Sequence, residues 1–298
     1  MKRLLLCTTY TLLFIMSAVY TAFAGQRVIE SSEELLPEWN LSAQYSTASD
    51  ADVDNSSASY SLNRFQFDAS YLDAAFTYRK DWYSWDNTHD ITFGNSRSKT
   101  PWDSLEHLAA GLTTDVKLGK RGVFQYGWEL ASNYEKEMDW GSLSGTGSLA
   151  YGYFFEENFL VMVGVQGTIN YANTTVLPIV GISYLEGPWD VFVGFPKTSV
   201  TYSVNENLSF SALAKYDYQT YSLSDSNSVY EDGYVEIREA TASLLANWRP
   251  LENFQLSLGP ELYFARSMRF YDDDGDRKGS SLDSDVAYGL KAGITLEF

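Results

Sequence analysis

The most constraining feature of the sequence is an alternation of apolar and polar residues with a period of two. Near the C-terminus, Tyr288, Leu290 and Ala292 alternate with Gly289 and Lys291. The same pattern recurs around residues 108–118, 208–217, 239–248 and 254–264. Successive side chains of a β-strand point to opposite faces, whereas a helix repeats every 3.6 residues. The chain is therefore predicted to be all-β, with strands that separate two different environments.

The length of these segments favours a membrane-spanning sheet over a soluble one. They run for about ten to sixteen residues, whereas strands of soluble sheets have about five or six and a tilted strand crosses a bilayer in about 9–11. Within hydrocarbon every backbone polar group must be paired, so strands can cross only as a closed barrel. Aromatic residues bunch at segment ends, for example Trp82, Tyr83 and Trp85, as in the girdles of such barrels. We predict a transmembrane antiparallel up-and-down β-barrel.

The first 24 residues have the features of a cleaved secretory signal peptide. Lys2 and Arg3 precede a short apolar stretch, and Ala22-Phe23-Ala24 forms a small-x-small cleavage site. The predicted organisation is a signal peptide at 1–24, a periplasmic segment at 25–37 and a barrel at 38–298. The single cysteine, Cys7, would be removed with the leader.

Charge and composition exclude several classes of function. Without the leader, about 274 residues carry a net charge near −20, which excludes nucleic acid as a partner because phosphate binding needs a basic face. Loss of the cysteine excludes disulfides and cysteine-based zinc sites. We expect neither a metal site nor a cofactor. The mean hydropathy of −0.24 and the lack of a long apolar run after the leader exclude a helical membrane protein.

Short turns and longer connectors alternate along the chain. Three short turns share an acidic-Asn step between apolar residues: Glu157-Asn158, Glu206-Asn207 and Glu252-Asn253. The longer polar connectors include residues 86–100, 224–232 and 272–283. Short periplasmic turns and long external loops are typical of outer-membrane barrels. With both termini periplasmic, the number of strands must be even.

The number of strands depends on residues 177–204. A literal count of segments gives fourteen, including a short one at 199–204. Pro178, Pro188 and Pro196 interrupt the pattern in this region, and proline is disfavoured in central strands. We therefore predict about twelve strands, with residues 189–204 bent or folded inward, and keep fourteen and ten as alternatives.

The last eight residues carry a second signal. Their order is polar, x, Gly, x, x, apolar, x, aromatic, with Lys291, Gly293, Leu296 and the terminal Phe298 at the defining positions. Here the chain resembles bacterial outer-membrane β-barrel proteins, whose final strand is read by the barrel-assembly machinery. The resemblance implies location in the outer membrane of a Gram-negative cell. It also implies lipid, lipopolysaccharide and the assembly machinery as partners.

Residues 189–196, which read Trp-Asp-Val-Phe-Val-Gly-Phe-Pro, and Tyr202 carry a further resemblance. They are similar to a feature of an uncharacterised outer-membrane barrel family, defined only as a domain of unknown function. The similarity covers about the last 150 residues. It implies a fold and a location, and it brings no established activity and no catalytic residue.

The alternation assigns a set of charged residues to the face opposite the lipid. The predicted lumen-lining residues are Arg64, Asp68, Arg79, Asp81, Asp115, Lys117, Glu129, Lys215, Asp217, Glu239 and Glu261. Mixed charges can line a water-filled pore or pair across a narrow interior and close it. Because acids outnumber bases in this set, the first hypothesis is a passive pore or small-solute uptake channel that favours cations. A non-conducting structural or surface-interaction barrel is the alternative. A lateral opening at 177–204 for apolar solutes is a third hypothesis.

Catalytic and metal-binding patterns are weak in this sequence. It has neither a Gly-x-Ser-x-Gly nor a His-Glu-x-x-His motif. His107, near Ser104 and Asp103, is the candidate base for the alternative of a hydrolytic or lipid-modifying barrel. The acidic run at 272–276 fails the spacing of an EF-hand because Arg277 would occupy the glycine position. We predict a solvated external loop there, with loose cation bridging to lipopolysaccharide phosphates as the alternative, and no catalytic residue.

Overall fold

The computed structural model describes residues 39–93, 96–97 and 100–298. The predicted signal peptide and periplasmic segment lie outside the described residues. Within the described part of the chain, no helix combines the length and apolarity needed to cross a membrane.

The described residues form a closed antiparallel sheet. In chain order its strands are β1 Trp39–Asp52, β2 Ser59–Tyr71, β3 Ala74–Asp86, β4 Thr92–Phe93, β5 Ser96–Arg97, β6 Ser104–Leu118, β7 Gly122–Tyr134, β8 Leu143–Glu156, β9 Phe159–Asn170, β10 Thr174–Glu186, β11 Trp189–Phe195, β12 Lys197–Asn205, β13 Leu208–Ser222, β14 Tyr234–Leu251, β15 Phe254–Tyr271, β16 Arg277–Ser284 and β17 Ala287–Glu297. A 3-10 turn at Thr88–Asp90 and the small β4–β5 hairpin lie in one connector. Pairing of β1 with β17 closes the ring.

Fourteen strands cross the described barrel, since β16 and β17 make one crossing. Strand β15 pairs with β17 as far as Tyr263 and with β16 from Arg266. The expected fold class is confirmed, but the preferred number of twelve is wrong and the alternative of fourteen is correct. Residues 189–204 form the β11–β12 hairpin of the sheet and not an inward-folded segment.

The three prolines made the predicted number of strands too low. Each occupies a position that needs no backbone donor, so it is compatible with the strands beside it. Pro188 lies in the turn between β10 and β11, and Pro196 lies at the tip of the β11–β12 hairpin. Pro178 lies on β10 opposite Val165 of β9. It precedes Val180, the residue at which β10 begins to pair with β11. Proline therefore marks the limits of pairing here and not the absence of strands.

The short turns lie at one end of the barrel, as their spacing predicts. The acidic-Asn turns at 157–158, 206–207 and 252–253 join strands at the end where the Trp39 N–H donates to the Phe298 carbonyl at 2.6 Å. This end is termed the inner end. The longer connectors at 53–58, 87–103, 135–142, 223–233 and 272–276 lie at the opposite, outer end.

The outward face of the sheet is apolar along its middle. On β17, Tyr288 and Leu290 are 70% and 60% exposed, and they alternate with glycine and lysine. Leu244 on β14 and Leu258 on β15 are exposed in the same band. A soluble sheet would turn such side chains toward a core. The barrel instead carries its apolar belt on the outside.

The outer end of the ring is constricted. Ser222 of β13 pairs in parallel with Tyr134 of β7, and the Glu135 N–H donates to the Ser222 carbonyl at 3.0 Å. Strands β8–β12 lie between these two strands in the sheet order. The outer ring therefore closes without β8–β12 (residues 143–205). The outer ends of these strands form a flap beside the ring, and their inner ends remain in the barrel wall.

Candidate functional site

An apolar core fills the outer half of the barrel. Inward side chains of several strands form one buried cluster that includes Tyr60, Leu62, Tyr83, Leu105, Tyr221, Ile237, Tyr263 and Met268. The outer connectors add Ile91 and Trp102 to it. The Trp102 ring makes edge contacts with Tyr83 at 5.8 Å and Trp85 at 5.6 Å. This packing resembles the interior of a soluble domain and obstructs passage along the barrel axis.

A network of buried ion pairs lies against this core. Arg64 donates to both carboxylate oxygens of Asp81 at 2.7 Å and to Glu239 Oε1 at 2.6 Å. Glu239 Oε2 accepts from Arg266 Nε at 2.9 Å. Arg64 lies on β2 and Glu239 on β14, and the sheet order places β1, β17 and β15 between them. Their contact must therefore cross the interior of the barrel.

The same network continues to β3 and β13. Arg79 lies 3.7 Å from Asp81 and 3.5 Å from Asp217, and Lys215 Nζ lies 2.7 Å from Asp217. The Arg79 guanidinium also donates to the Tyr221 hydroxyl. Removal of charges from water is costly unless they are paired. Pairing across the interior is therefore the arrangement that these residues adopt.

The structure brings together six of the eleven residues predicted from the alternation. Direct ion pairs join Arg64, Arg79, Asp81, Lys215, Asp217 and Glu239, and the charge of Glu129 interacts with Lys215 and Asp217 at the edge of this network. Asp68 accepts from Thr77 at 2.6 Å, and Glu261 accepts from Tyr263 at 2.7 Å. That the eleven side chains line a passage stays a prediction.

Three bases of the inner face were missed by sequence reasoning. Arg266 follows Ala265, whose φ of +50° accompanies a register shift that moves the alternation by one residue. Lys197 lies within residues 189–204, where the prolines led to the prediction of a bent or inward-folded segment and not of a strand. Lys291 lies on the polar face in the alternation, where it is also part of the terminal signal. These bases reduce the expected acid bias of the interior.

The two remaining candidate sites have structural partners. His107 Nδ1 lies 2.5 Å from Asn133 Oδ1. Ser104 lies on the opposite face of β6, because the two positions differ by three and side chains alternate along a strand. In the acidic loop, Asp272 accepts from the Asp276 N–H at 2.8 Å. The Lys278 ammonium bonded to Asp272 lowers the pKa of that carboxyl. Among the described residues, no group of three acidic, histidine or cysteine side chains is placed to hold a metal.

The barrel wall is interrupted between β10 and β13. Strand β10 pairs with β11 only from Val180 toward the inner end, and β12 pairs with β13 from Lys197, which lies opposite Lys215. The cause is the length of the hairpin: β11 and β12 have 7 and 9 residues, whereas β10 and β13 have 13 and 15. Residues 174–179 and 217–221 therefore face each other without a strand between them. This interruption is termed the side slot.

The space beside the side slot is less tightly filled than the core. Thr175, Leu177 and Ile179 lie on the face of β10 opposite the lipid, and all three are partly exposed. Thr175 interacts with Tyr218 of β13, and Ile179 packs against a second, smaller buried cluster that includes Leu160 and Met162. The inward residues Leu105 and Tyr221 of the core are each 1% exposed. At the floor of the slot the Phe195 and Tyr216 rings pack with centroids 5.6 Å apart.

The tip of the β9–β10 hairpin covers the outer edge of the side slot. Asn173 Nδ2 donates to Glu236 at 2.7 Å, and Asn170 Nδ2 donates to the Thr220 hydroxyl at 3.2 Å. Thr220 and Glu236 are cross-strand partners on the outward face of β13 and β14. The flap therefore overlaps the outside of the wall at this point.

No protein-family model matches the chain, so its resemblance to an uncharacterised barrel family stays a prediction. No curated protein matches it either. Among solved structures, a KdgM porin is 8% identical at a TM-score of 0.36, with 86% of this chain and 99% of that chain covered. A NanC porin is 8% identical at 0.38, covering 86% and 98%. The Pseudomonas putida toluene transporter TodX is 12% identical at 0.32, covering 95% of each. These values are too low to transfer a function.

Proposed function

We propose that this protein is an outer-membrane channel that admits a small, largely apolar solute through the side slot. One observation carries the proposal: the axis is filled by a core and an ion-pair network, while the wall is interrupted beside a less filled space. Passive diffusion of cations along an acid-lined axis, the first hypothesis from the sequence, fits this interior poorly.

The outward face supports both the membrane location and the character of the solute. A closed barrel pairs its strand backbones, and an apolar belt stabilises it in lipid. On the slot edge, the outward residues Val176 and Val180 are 63% and 46% exposed. The β10 edge of the slot is therefore continuous with the apolar belt. A solute dissolved in the outer leaflet could reach it without crossing water.

The network also favours a second candidate, a non-conducting structural barrel. Paired charges hold an interior in one arrangement and do not require a solute. The two candidates predict different effects of a blocked slot on solute uptake. Blocking the slot lowers uptake if the protein is a channel and leaves it unchanged if the protein is a structural barrel.

We expect the Leu177→Trp variant to reduce uptake of the apolar dye N-phenyl-1-naphthylamine several-fold in Gram-negative cells that express the barrel. The larger ring points into the space beside the slot and narrows it. Val176→Trp is the matched control, because the next side chain of β10 points to the lipid and the same bulk should leave uptake unchanged. Dye fluorescence after addition to cells, normalised to heat-modifiable barrel, measures the rate.

Uptake equal to that of cells carrying an empty vector, for the unmodified barrel and both variants, would reject the channel and favour the structural barrel. Uptake above that level with no difference between the two variants would retain a channel and reject the slot as its route.

We expect the Phe298→Ala variant to lower the amount of folded barrel in the outer membrane, because the terminal aromatic residue is proposed to be read by the assembly machinery. Refolding of the same variant into detergent, where that machinery is absent, should be close to normal. Heat-modifiable mobility on gels measures both fractions. An equal loss in cells and in detergent would assign Phe298 to barrel stability and not to assembly.

A further inference from the structure

The geometry points to a latch on the side slot: the tip of the β9–β10 hairpin holds the slot closed by binding Glu236 on the outer face of the wall. The inference rests on the proposed function, because it concerns the width of the same opening. The latch consists of Asn170 and Asn173 on the tip and Tyr218, Thr220 and Glu236 on the wall.

Other residues of the wall hold the Glu236 side chain in place, independently of the hairpin tip. Its side chain lies on the outward face of β14, opposite in direction to Glu239, yet it is fully buried. Oε2 accepts from the Tyr271 hydroxyl at 2.8 Å and the Tyr218 hydroxyl at 2.9 Å, and Oε1 binds Arg238. These wall groups fix the carboxylate, and the tip adds the Asn173 amide at 2.7 Å.

The tip is organised independently of the wall. The Asn173 N–H donates to Asn170 Oδ1 at 2.8 Å, and the Asn170 N–H donates to the Asn173 carbonyl at 3.0 Å. These bonds close the turn between β9 and β10 on itself. The hairpin end can therefore leave the wall as a unit without losing its own turn.

The contacts between tip and wall are of a kind that can break without damage to the sheet. Asn173 binds Glu236, Tyr218 and Tyr271, and Asn170 binds Thr220, in each case through side chains. The Tyr171 ring stacks on Tyr234 at 5.4 Å. The facing edges 174–179 and 217–221 add no strand ladder across the slot, and their contact is a side-chain one between Thr175 and Tyr218. Opening therefore requires loss of a few side-chain bonds and one ring contact, and the latch sets the width of the slot.

A reversible crosslink tests the latch. The loop residue Gly275 touches the tip: a Cβ built there would lie 3.4 Å from the Ala172 Cα, which brings a pair of cysteines at these two positions within disulfide reach. We therefore combine Ala172→Cys with Gly275→Cys. Dye uptake by the oxidised double variant should fall several-fold below that of the same cells after reduction. Each single variant should show no response to reductant, which controls for the strained φ of +82° at position 275.

Release of the latch should have the opposite effect. Asn173→Ala removes the amide between Glu236 and Tyr218 and should raise dye uptake several-fold. Asn158→Ala is the matched control, because Asn158 also donates to a glutamate, Glu186 at 3.1 Å, but at the inner end. Heat-modifiable mobility confirms that every variant is folded.

The outcomes separate the latch from the channel. Redox-dependent uptake together with a gain in Asn173→Ala supports the latch. Uptake above the empty-vector level that responds to neither change overturns the latch while the channel stands. Uptake at the empty-vector level in every variant, including Asn173→Ala, overturns the latch together with the proposed function.

Discussion

Replacement of Glu239 by glutamine is expected to lower the free energy of unfolding of the barrel by about 3–5 kcal/mol, the range for breaking a buried ion pair on one side. Glu239 is 2% exposed and neutralises Arg64 and Arg266 at once. Glutamine keeps the shape of the side chain and removes its charge, so two guanidinium groups would remain in the interior with reduced compensation. Urea titration of the refolded barrel in lipid vesicles, followed by tryptophan fluorescence, measures the change.

Glu297→Gln is the matched control for this experiment. Glu297 also pairs with an arginine, Arg249, but the distance is 3.5 Å and the two side chains are 37% and 40% exposed. An exposed pair contributes about 0–1 kcal/mol. Equal and small effects of the two substitutions would contradict the closed interior, because they would mean that water reaches Glu239 as freely as it reaches Glu297.

Trp102→Ala is expected to have a similarly large effect on the free energy of unfolding, about 3–5 kcal/mol for removal of a buried tryptophan. Trp102 comes from an outer connector and is 2% exposed in the core, where it contacts Tyr83, Trp85 and Phe270. Its loss would leave a cavity that the surrounding rings cannot fill. The same urea titration measures it.

Trp140→Ala provides the comparison, because Trp140 also lies in an outer connector but is 89% exposed. We expect a change within about 0.5 kcal/mol, as for surface substitutions. If both tryptophan variants unfold at the same urea concentration, the connector at 87–103 does not form part of a filled interior.

The strand architecture could be predicted from the sequence because alternation is a local signal. The last strand shows it directly, where Leu290 and Lys291 already differ in environment. The signal fails where the backbone adds a residue. At Ala265 one such insertion moves Arg266 to the inner face. The residue types around Ala265 do not predict this insertion.

The candidate site was less predictable because it depends on contacts between distant segments. Pairing of Arg64 with Glu239 follows only from the curvature of the whole ring, since the residues are 175 positions apart. Trp102 lies in a connector, and connectors carry no periodicity that would assign a residue to the interior. The side slot arises because the β11–β12 hairpin is short, and prolines in a sequence indicate the absence of a strand as readily as the end of a short one.

The parallel contact between Tyr134 and Ser222 has a consequence for the circumference of the barrel. Fourteen strands surround the inner end, but bypassing β8–β12 leaves nine around the outer end. The diameter of a barrel grows roughly in proportion to its strand number, and about eight strands enclose a space that side chains alone can fill. The outer end is therefore narrow enough for the side chains of its own wall and connectors to fill its interior. A reduction in strand number along the axis achieves what a separate plug domain achieves in wide barrels.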